Sequence, residues 1–416
     1  MVAYRPRILD AVLARRMRSI GAMLVEGPRA CGKTATASRL ARTIIRFDED
    51  PDARAAVSVA PQTLFENPTP ILFDEWQLEP AIWNRVRREV DDRQAKGLVL
   101  LTGSSTPRPS SDRHSGAGRI GVVRMRPMSL YESGHSSGRI SLTDLFDEAA
   151  PSAGGVDTDV PVLMERIIVG GWPALLDATE ADARDYLTDY LTQIVDVDIP
   201  LLGSRRDPRN LRRLLTALGR STGQAVKLSE LAADVGGEAG PIAHETLLRY
   251  LEALERLGLT DDSEAWQPHM RSRARLRVAP VRYFVDPSIA AAALGIGSRD
   301  LLRDLNAAGF HFESLALRDL RVYAQPIGGV ISSWRDSNGN EVDAVVTLND
   351  GRWGAFEVKL NPTAIDTAAA NLKRFASTID AERHGAPSVL GVITSTGYAY
   401  RRPDGVQVIP ITAFGP

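Results

Sequence analysis

Residues 27–34 read Gly-Pro-Arg-Ala-Cys-Gly-Lys-Thr, a full match to the spacing G-x-x-x-x-G-K-[ST]. An apolar run, Ala22–Glu26, leads into this stretch, and a helical pattern, Thr34–Thr43, leaves it. Glycines at both ends let the backbone curl so that successive N–H groups face one anion, and the helix that follows adds partial positive charge. Gly27, Pro28, Arg29, Ala30, Cys31, Gly32, Lys33, Thr34 and Ala35 are therefore the candidate phosphate cradle. Lys33 is expected on the β- and γ-phosphates of ATP, and the Thr34 hydroxyl on Mg²⁺. Such a loop demands a strand on one side and a helix on the other, hence a parallel α/β sheet.

The next runs agree with that demand. Thr43–Asp48, Ile71–Asp74, Leu98–Thr102 and Ile120–Met125 are short and apolar on both faces, as strands between helix layers are. Ile71–Asp74 ends in an acidic pair. Asp74 is expected to hold the Mg²⁺ shell, and Glu75 to polarise the attacking water. Leu100–Thr102 is followed by Gly103, Ser104 and Ser105. Ser104, then Thr102, are candidates for a hydroxyl between the acids and the γ-phosphate. Arg119, just before the last strand, is a candidate finger toward a neighbouring subunit's nucleotide.

These motifs (GPRACGKT, ILFDEWQ, LLTGSS and RMRPMSLYE) resemble a prokaryotic family of AAA-type ATP-binding proteins. GGWPALL (Gly170–Leu176) and the Tyr186–Asp198 helix resemble that family's C-terminal partner domain, a domain of unassigned function. At GGWPALL the chain departs from the family pattern, and no chemistry is assigned there. The resemblance implies a homo-oligomer with nucleotide sites at subunit interfaces.

The chain has 416 residues, 44% hydrophobic and 25% charged, which excludes a wholly disordered chain, a collagen-like one and a small disulfide scaffold. The formal net charge is -2, so any contact with DNA must come from local basic patches. One cysteine, Cys31, excludes an intrachain disulfide and fits a reducing, cytoplasmic setting. No apolar run approaches the ~18 residues of a membrane span, and the N-terminus has no signal-peptide core.

Three domains are expected. An AAA-type ATPase domain spans 1–150. A helical, winged helix-turn-helix region spans 162–290, and a small α/β nuclease-like domain spans 300–416. The Gly- and Pro-rich stretch Ala149–Pro161 reads as a linker. In the middle region, leucines 211, 214, 215 and 218 line one face of a helix, and arginines 205, 209, 212 and 213 another. Leu228–Thr260 reads helix, Gly-rich turn, helix. Arg271, Arg273, Arg275 and Arg277 alternate, so a strand would place all four on one face. Both basic stripes are candidate phosphate contacts or plain solvated faces.

The last region carries its own acids. Glu313 lies in a helical stretch, Asp343 in the strand-like Glu341–Thr347, and Glu357 with Lys359 in Trp353–Leu360. Residues i and i+2 of a strand share a face, so Glu357 and Lys359 aim together. Pairing through the intervening turn would bring Asp343 onto Glu357, and two carboxylates can hold one Mg²⁺ or Mn²⁺. Lys359 would orient or deprotonate a water. The order helical Glu, Asp, Glu-x-Lys resembles the PD-(D/E)xK nuclease superfamily, which implies Glu313, Asp343, Glu357 and Lys359 as catalytic and Asp343 and Glu357 as metal ligands. Two functions follow as expectations. One is an Mg²⁺-dependent ATPase coupled to a DNA-binding or nuclease-like module. The other is a nucleotide-switched, non-enzymatic regulator or scaffold whose nuclease-like domain is inactive.

Overall fold

The structure, a computed structural model, describes residues 4–103, 114–147, 154–156, 159–202, 207–267, 279–336 and 338–416. The chain divides into two compact units, 1–127 with 253–259, and 128–252 with 260–416.

The first unit is built on five strands, β1 (Ala22–Glu26), β2 (Thr43–Arg46), β3 (Ile71–Asp74), β4 (Val99–Thr102) and β5 (Ile120–Arg124). They lie in the order β2-β3-β4-β1-β5 and every pairing is parallel. All four residues of β3 and of β4 are buried, which explains their apolar runs on both faces. Phe47, Phe65 and Phe73 pack together on one side, near the Trp76–Trp83 pair. The α/β parallel sheet expected from the loop motif is the one observed. Since β1 lies between β4 and β5, the loop after β1 emerges next to the tips of β4 and β3, where Thr102 and Asp74 stand.

The second unit joins a helical region to a seven-stranded mixed sheet. Helices Val160–Val169, Glu180–Gln193, Pro208–Arg220, Leu228–Gly236 and Pro287–Leu294 lie in the helical region. Leu211, Leu214, Leu215 and Leu218 are buried in Pro208–Arg220, and Arg209, Arg212 and Arg213 are exposed, as the spacing predicts. Arg205 and Arg271 to Arg277 lie outside the described residues. The helix-turn-helix pattern forms as Leu228–Gly236, a one-turn link and His244–Arg256, and the last four residues of the second helix group with the first unit.

The mixed sheet runs Val330–Arg335, Glu341–Thr347, Trp353–Lys359, Val389–Thr394, Gln407–Pro410, Gly397–Arg401, Gly154–Val156. The long helix Leu305–Tyr323 starts at Asp304, whose carboxylate caps it. Helix Ile365–Ser377 packs Leu372 and Phe375 onto Trp353 and Ala355. Asp336 closes the hairpin between the first two strands, accepting from the backbone N–H of Asn338 and Asn340.

Two elements differ from the sequence reading. Part of the expected linker, Gly154–Val156, pairs antiparallel with Gly397–Arg401 at the sheet edge. Edge pairing needs only backbone groups, so a Gly-rich run satisfies it. The strand Gly397–Arg401 itself carries no apolar run that would announce it, because it is short and mostly exposed.

Candidate functional site

The loop after β1 takes the backbone form that the motif requires. Gly27, Ala30 and Gly32 have φ of 154°, 61° and 103°. Alternation of left- and right-handed conformations turns successive N–H groups to one side. Any side chain on Gly27 would collide with the carbonyl of Met125. Cys31 is buried beneath the loop, and Arg29, Ala30 and Ala35 are exposed around its mouth. Arg7 braces the underside, donating to the carbonyls of Cys31 at 2.9 Å and Arg126 at 2.7 Å. Gly258 lies close over Pro28, where a Cβ would stand 3.0 Å from the Pro28 nitrogen.

Lys33 opens the helix Lys33–Ser38 and is buried. Its Nζ donates back to the carbonyls of Gly27 at 3.0 Å and Pro28 at 2.7 Å, so the ammonium stands at the loop's own mouth. The Thr34 hydroxyl donates to Asp74 Oδ1 at 2.9 Å. The Thr102 hydroxyl, from the neighbouring strand tip, donates to the same oxygen at 2.6 Å. Asp74 is itself buried. A hydroxyl and a carboxylate at this spacing form a hard oxygen donor set, which suits Mg²⁺. The structure thus brings Thr34 and Asp74 together.

Glu75 follows with φ 53°, a left-handed conformation rare outside glycine. Gln77 Nε2 donates to its carboxylate. Gln77 fits there because Gly103 has no side chain: a Cβ at Gly103 would strike the Gln77 amide oxygen. Ser104 lies outside the described residues. Arg119 sits on an exposed turn, where its guanidinium binds Asp91 at 2.8 Å.

A second constellation lies in the C-terminal sheet. The ladder between Glu341–Thr347 and Trp353–Lys359 runs from Thr347↔Trp353 to Ala344↔Phe356 and stops. Beyond it Asp343 turns inward, and its Oδ2 accepts the Val358 backbone N–H at 2.7 Å. Lys359 Nζ lies 2.5 Å from Glu357 Oε2 and 3.4 Å from Asp343 Oδ2, bridging the two. Asn371, on helix Ile365–Ser377, donates to the other Glu357 oxygen at 2.5 Å. Glu313 comes from helix Leu305–Tyr323 and accepts the Tyr283 hydroxyl. The four expected residues therefore share one neighbourhood.

Electrostatics there follow burial. Burial, then the Asp343 charge, pushes the Glu357 carboxyl up to about 8. Glu313 is raised well above the usual carboxylate range for the same two reasons. Burial disfavours the Lys359 ammonium, but Asp343 and Glu357 overcome it and hold the proton on. Among the described residues, no group of three or more His, Cys, Asp or Glu is arranged to hold a metal. Asp343 and Glu357 are the oxygen donors a divalent ion would use.

Sequence reasoning did not single out Gln77, Tyr283 or Asn371. Gln77 was within reach, standing two residues after Glu75. Tyr283 and Asn371 arrive through tertiary contacts and leave no local signal. GGWPALL, to which no chemistry was assigned, is structural. Gly171 N–H donates to the buried Asp286 at 3.0 Å, and the Trp172 indole to Ser288 at 3.0 Å.

Comparison with known proteins agrees with the first unit's fold. Residues 20–134 match the AAA domain family. Residues 161–300 and 308–414 match two domains of unknown function, DUF8612 and DUF4143. An uncharacterized protein of Mycobacterium tuberculosis and one of Mycobacterium bovis are each 25% identical over 357 residues, covering 85% of this chain and 73% of theirs. Among solved structures, a Walker-type ATPase of Pyrococcus abyssi aligns at a TM-score of 0.42 and 14% identity, covering 68% of this chain and 94% of that one. The five-stranded parallel sheet and the match of residues 20–134 to the AAA domain family agree on a P-loop NTPase-like fold for the N-terminal unit. No described helix is long and apolar enough to cross a membrane.

Proposed function

We propose that this protein binds and hydrolyses Mg²⁺–ATP at the loop Gly27–Thr34 and couples its nucleotide state to the C-terminal module. The observation that carries this reading is the meeting of Thr34 and Thr102 hydroxyls on one Asp74 oxygen, beside a lysine at the loop mouth. Lys33 exchanges its two carbonyl contacts for β- and γ-phosphate oxygens. Thr34 and Asp74 would hold Mg²⁺, which supplies charge neutralisation on the phosphates. Glu75 orients a water and accepts its proton on a carboxylate oxygen, and Gln77 sets the direction of that carboxylate. The test is ATP turnover with and without Mg²⁺. Turnover should vanish in Lys33→Ala and fall by about 10²–10⁴ in Glu75→Gln, with ATP binding kept in the latter. Equal turnover in parent and Lys33→Ala would refute it.

The convergence of Asp343, Glu357 and Lys359 favours a second activity in the same chain. It supports metal-dependent cleavage of nucleic acid phosphodiesters, with Lys359 steering the attacking water. A divalent ion on Asp343 and Glu357 would stabilise charge on the phosphate. Nicking should then be lost in Asp343→Ala and in Lys359→Ala while ATP turnover persists. Absence of nicking with both Mg²⁺ and Mn²⁺ would instead favour a nucleotide-switched regulator, in which the Lys359 bridge keeps the carboxylates permanently closed. A homo-oligomer also belongs to this reading, with Arg119 released from its exposed, weakly held contact to Asp91 to reach a neighbouring nucleotide. Sedimentation with and without ATP tests it, and a monomer under both conditions would exclude it.

A further inference from the structure

A cavity of about 330 Å³ opens beside the C-terminal carboxylates. Sites that take small ligands occupy about 300–1,000 Å³, so this one suits a single compact group. Its walls carry the half-buried rings of Phe310 and Trp334. Glu313, Asp343, Gln224 and Ser333 also line it.

The chain keeps this space open by design of its backbone. Gly223 lines the cavity at φ 76°, and a Cβ there would stand 2.9 Å from Phe310 Cδ1 and 3.5 Å from Glu313 Oε1. Trp334 is braced by Phe375, with ring centroids 4.6 Å apart. Tyr283 holds Glu313 through its hydroxyl, and Arg321 lies over the Tyr283 ring at 5.3 Å. Asp343 belongs both to the cavity and to the cluster, its Oδ2 being 3.4 Å from Lys359 Nζ. Asp343 thus links the cavity to Lys359.

We propose that this cavity receives one unstacked nucleobase of a single-stranded nucleic acid and so sets the adjoining phosphodiester at Lys359. A base has flat apolar faces and a polar edge. Aromatic walls with a polar lining match that anatomy, and stacking of splayed bases on aromatic side chains is how unpaired strands are held. A base within a duplex is stacked on both faces and paired at its edge, so it cannot enter without being flipped out. The Asp343 carboxylate accepts hydrogen bonds, which favours bases that present an exocyclic amino group, adenine, cytosine and guanine, over thymine or uracil. The proposal rests on the phosphodiester reading of Asp343, Glu357 and Lys359.

The test uses the full chain in EDTA, so that binding is read without cleavage. Fluorescence anisotropy compares a short labelled single strand, as DNA and as RNA, with its duplex at one fixed salt concentration. The expected result is single-strand binding about tenfold or more tighter than duplex, weakened about 5–100-fold by Phe310→Ala at unchanged melting temperature and by Trp334→Ala. Trp334 also packs on Phe375, so Phe310→Ala, from a separate element, keeps the test independent of that core. Gly223→Ala should weaken binding as well, because its methyl group enters the cavity. Equal affinity for duplex and single strand, or unaltered binding in Phe310→Ala, would overturn the proposal, as would no binding of either form. Single-strand binding with no cleavage after Mg²⁺ or Mn²⁺ is restored would remove the phosphodiester chemistry and leave the base site standing.

Discussion

At Asp74 a single carboxylate oxygen accepts two hydroxyls, Thr34 at 2.9 Å and Thr102 at 2.6 Å. Thr102→Val removes one of them and leaves a buried acceptor short of a partner. Its expected effect is a fall in ATP turnover with binding largely kept, read as a drop in kcat at nearly constant KM. A rise in KM alone would place Thr102 in binding instead. At this scale the first site was legible because its residues are contiguous: Gly27 to Thr34 form one loop, and Asp74 ends one strand. Arg7 was not, since its role depends on where its side chain reaches in space. Glu313, Asp343, Glu357 and Lys359 were legible as a set, but their present partners were not. The sequence does not say that Lys359 bridges both carboxylates or that Tyr283 and Asn371 hold the outer oxygens.

Among the elements, the helix Leu305–Tyr323 does more than present Glu313. Its Arg318 is buried and binds Asp286 at 2.9 Å and Asp319 at 2.7 Å. Asp319 in turn accepts the Leu130 backbone N–H, and Asp286 the Gly171 N–H. One buried guanidinium thus ties four segments of the second unit. Burial alone would disfavour its charge, and the two carboxylates reverse that, holding its pKa above the ordinary value. Arg318→Ala strands two buried carboxylates and should cost about 3–5 kcal/mol in urea unfolding of this unit. A loss within about 0.5 kcal/mol, the range of ordinary surface substitutions, would contradict this. The element pattern was readable where apolar runs are long and buried, as in β1 to β5. It was unreadable at Gly154–Val156 and Gly397–Arg401, where pairing relies on backbone groups that every residue carries.

For the whole molecule, the two raised carboxyls make stability depend on pH. Unfolded Glu loses its proton near ~4.3. Burial and the Asp343 charge raise folded Glu357 to about 8 against the opposing pull of the Lys359 ammonium and the Asn371 amide, and Glu313 is raised in the same direction. Between those values the folded state binds more protons than the unfolded one, so stability falls as pH rises through the window. In EDTA the second unit should melt lower at about pH 8 than at about pH 5, and Glu313→Gln with Glu357→Gln should flatten that slope. A slope unchanged by the substitutions would contradict the assignment. The parallel sheet of the first unit was predictable from motif and strand spacing together. Which segments cluster into which unit was not, since 253–259 join the first unit across more than a hundred residues of chain. The central claim is a nucleotide held by Gly27–Thr34 with Mg²⁺ on Thr34 and Asp74. Isothermal titration of Mg²⁺–ATP into the full chain tests it most directly: saturable binding, lost in Lys33→Ala and weakened when EDTA removes the metal, is the predicted result. No heat of binding in the parent, or the same isotherm in Lys33→Ala, would contradict it.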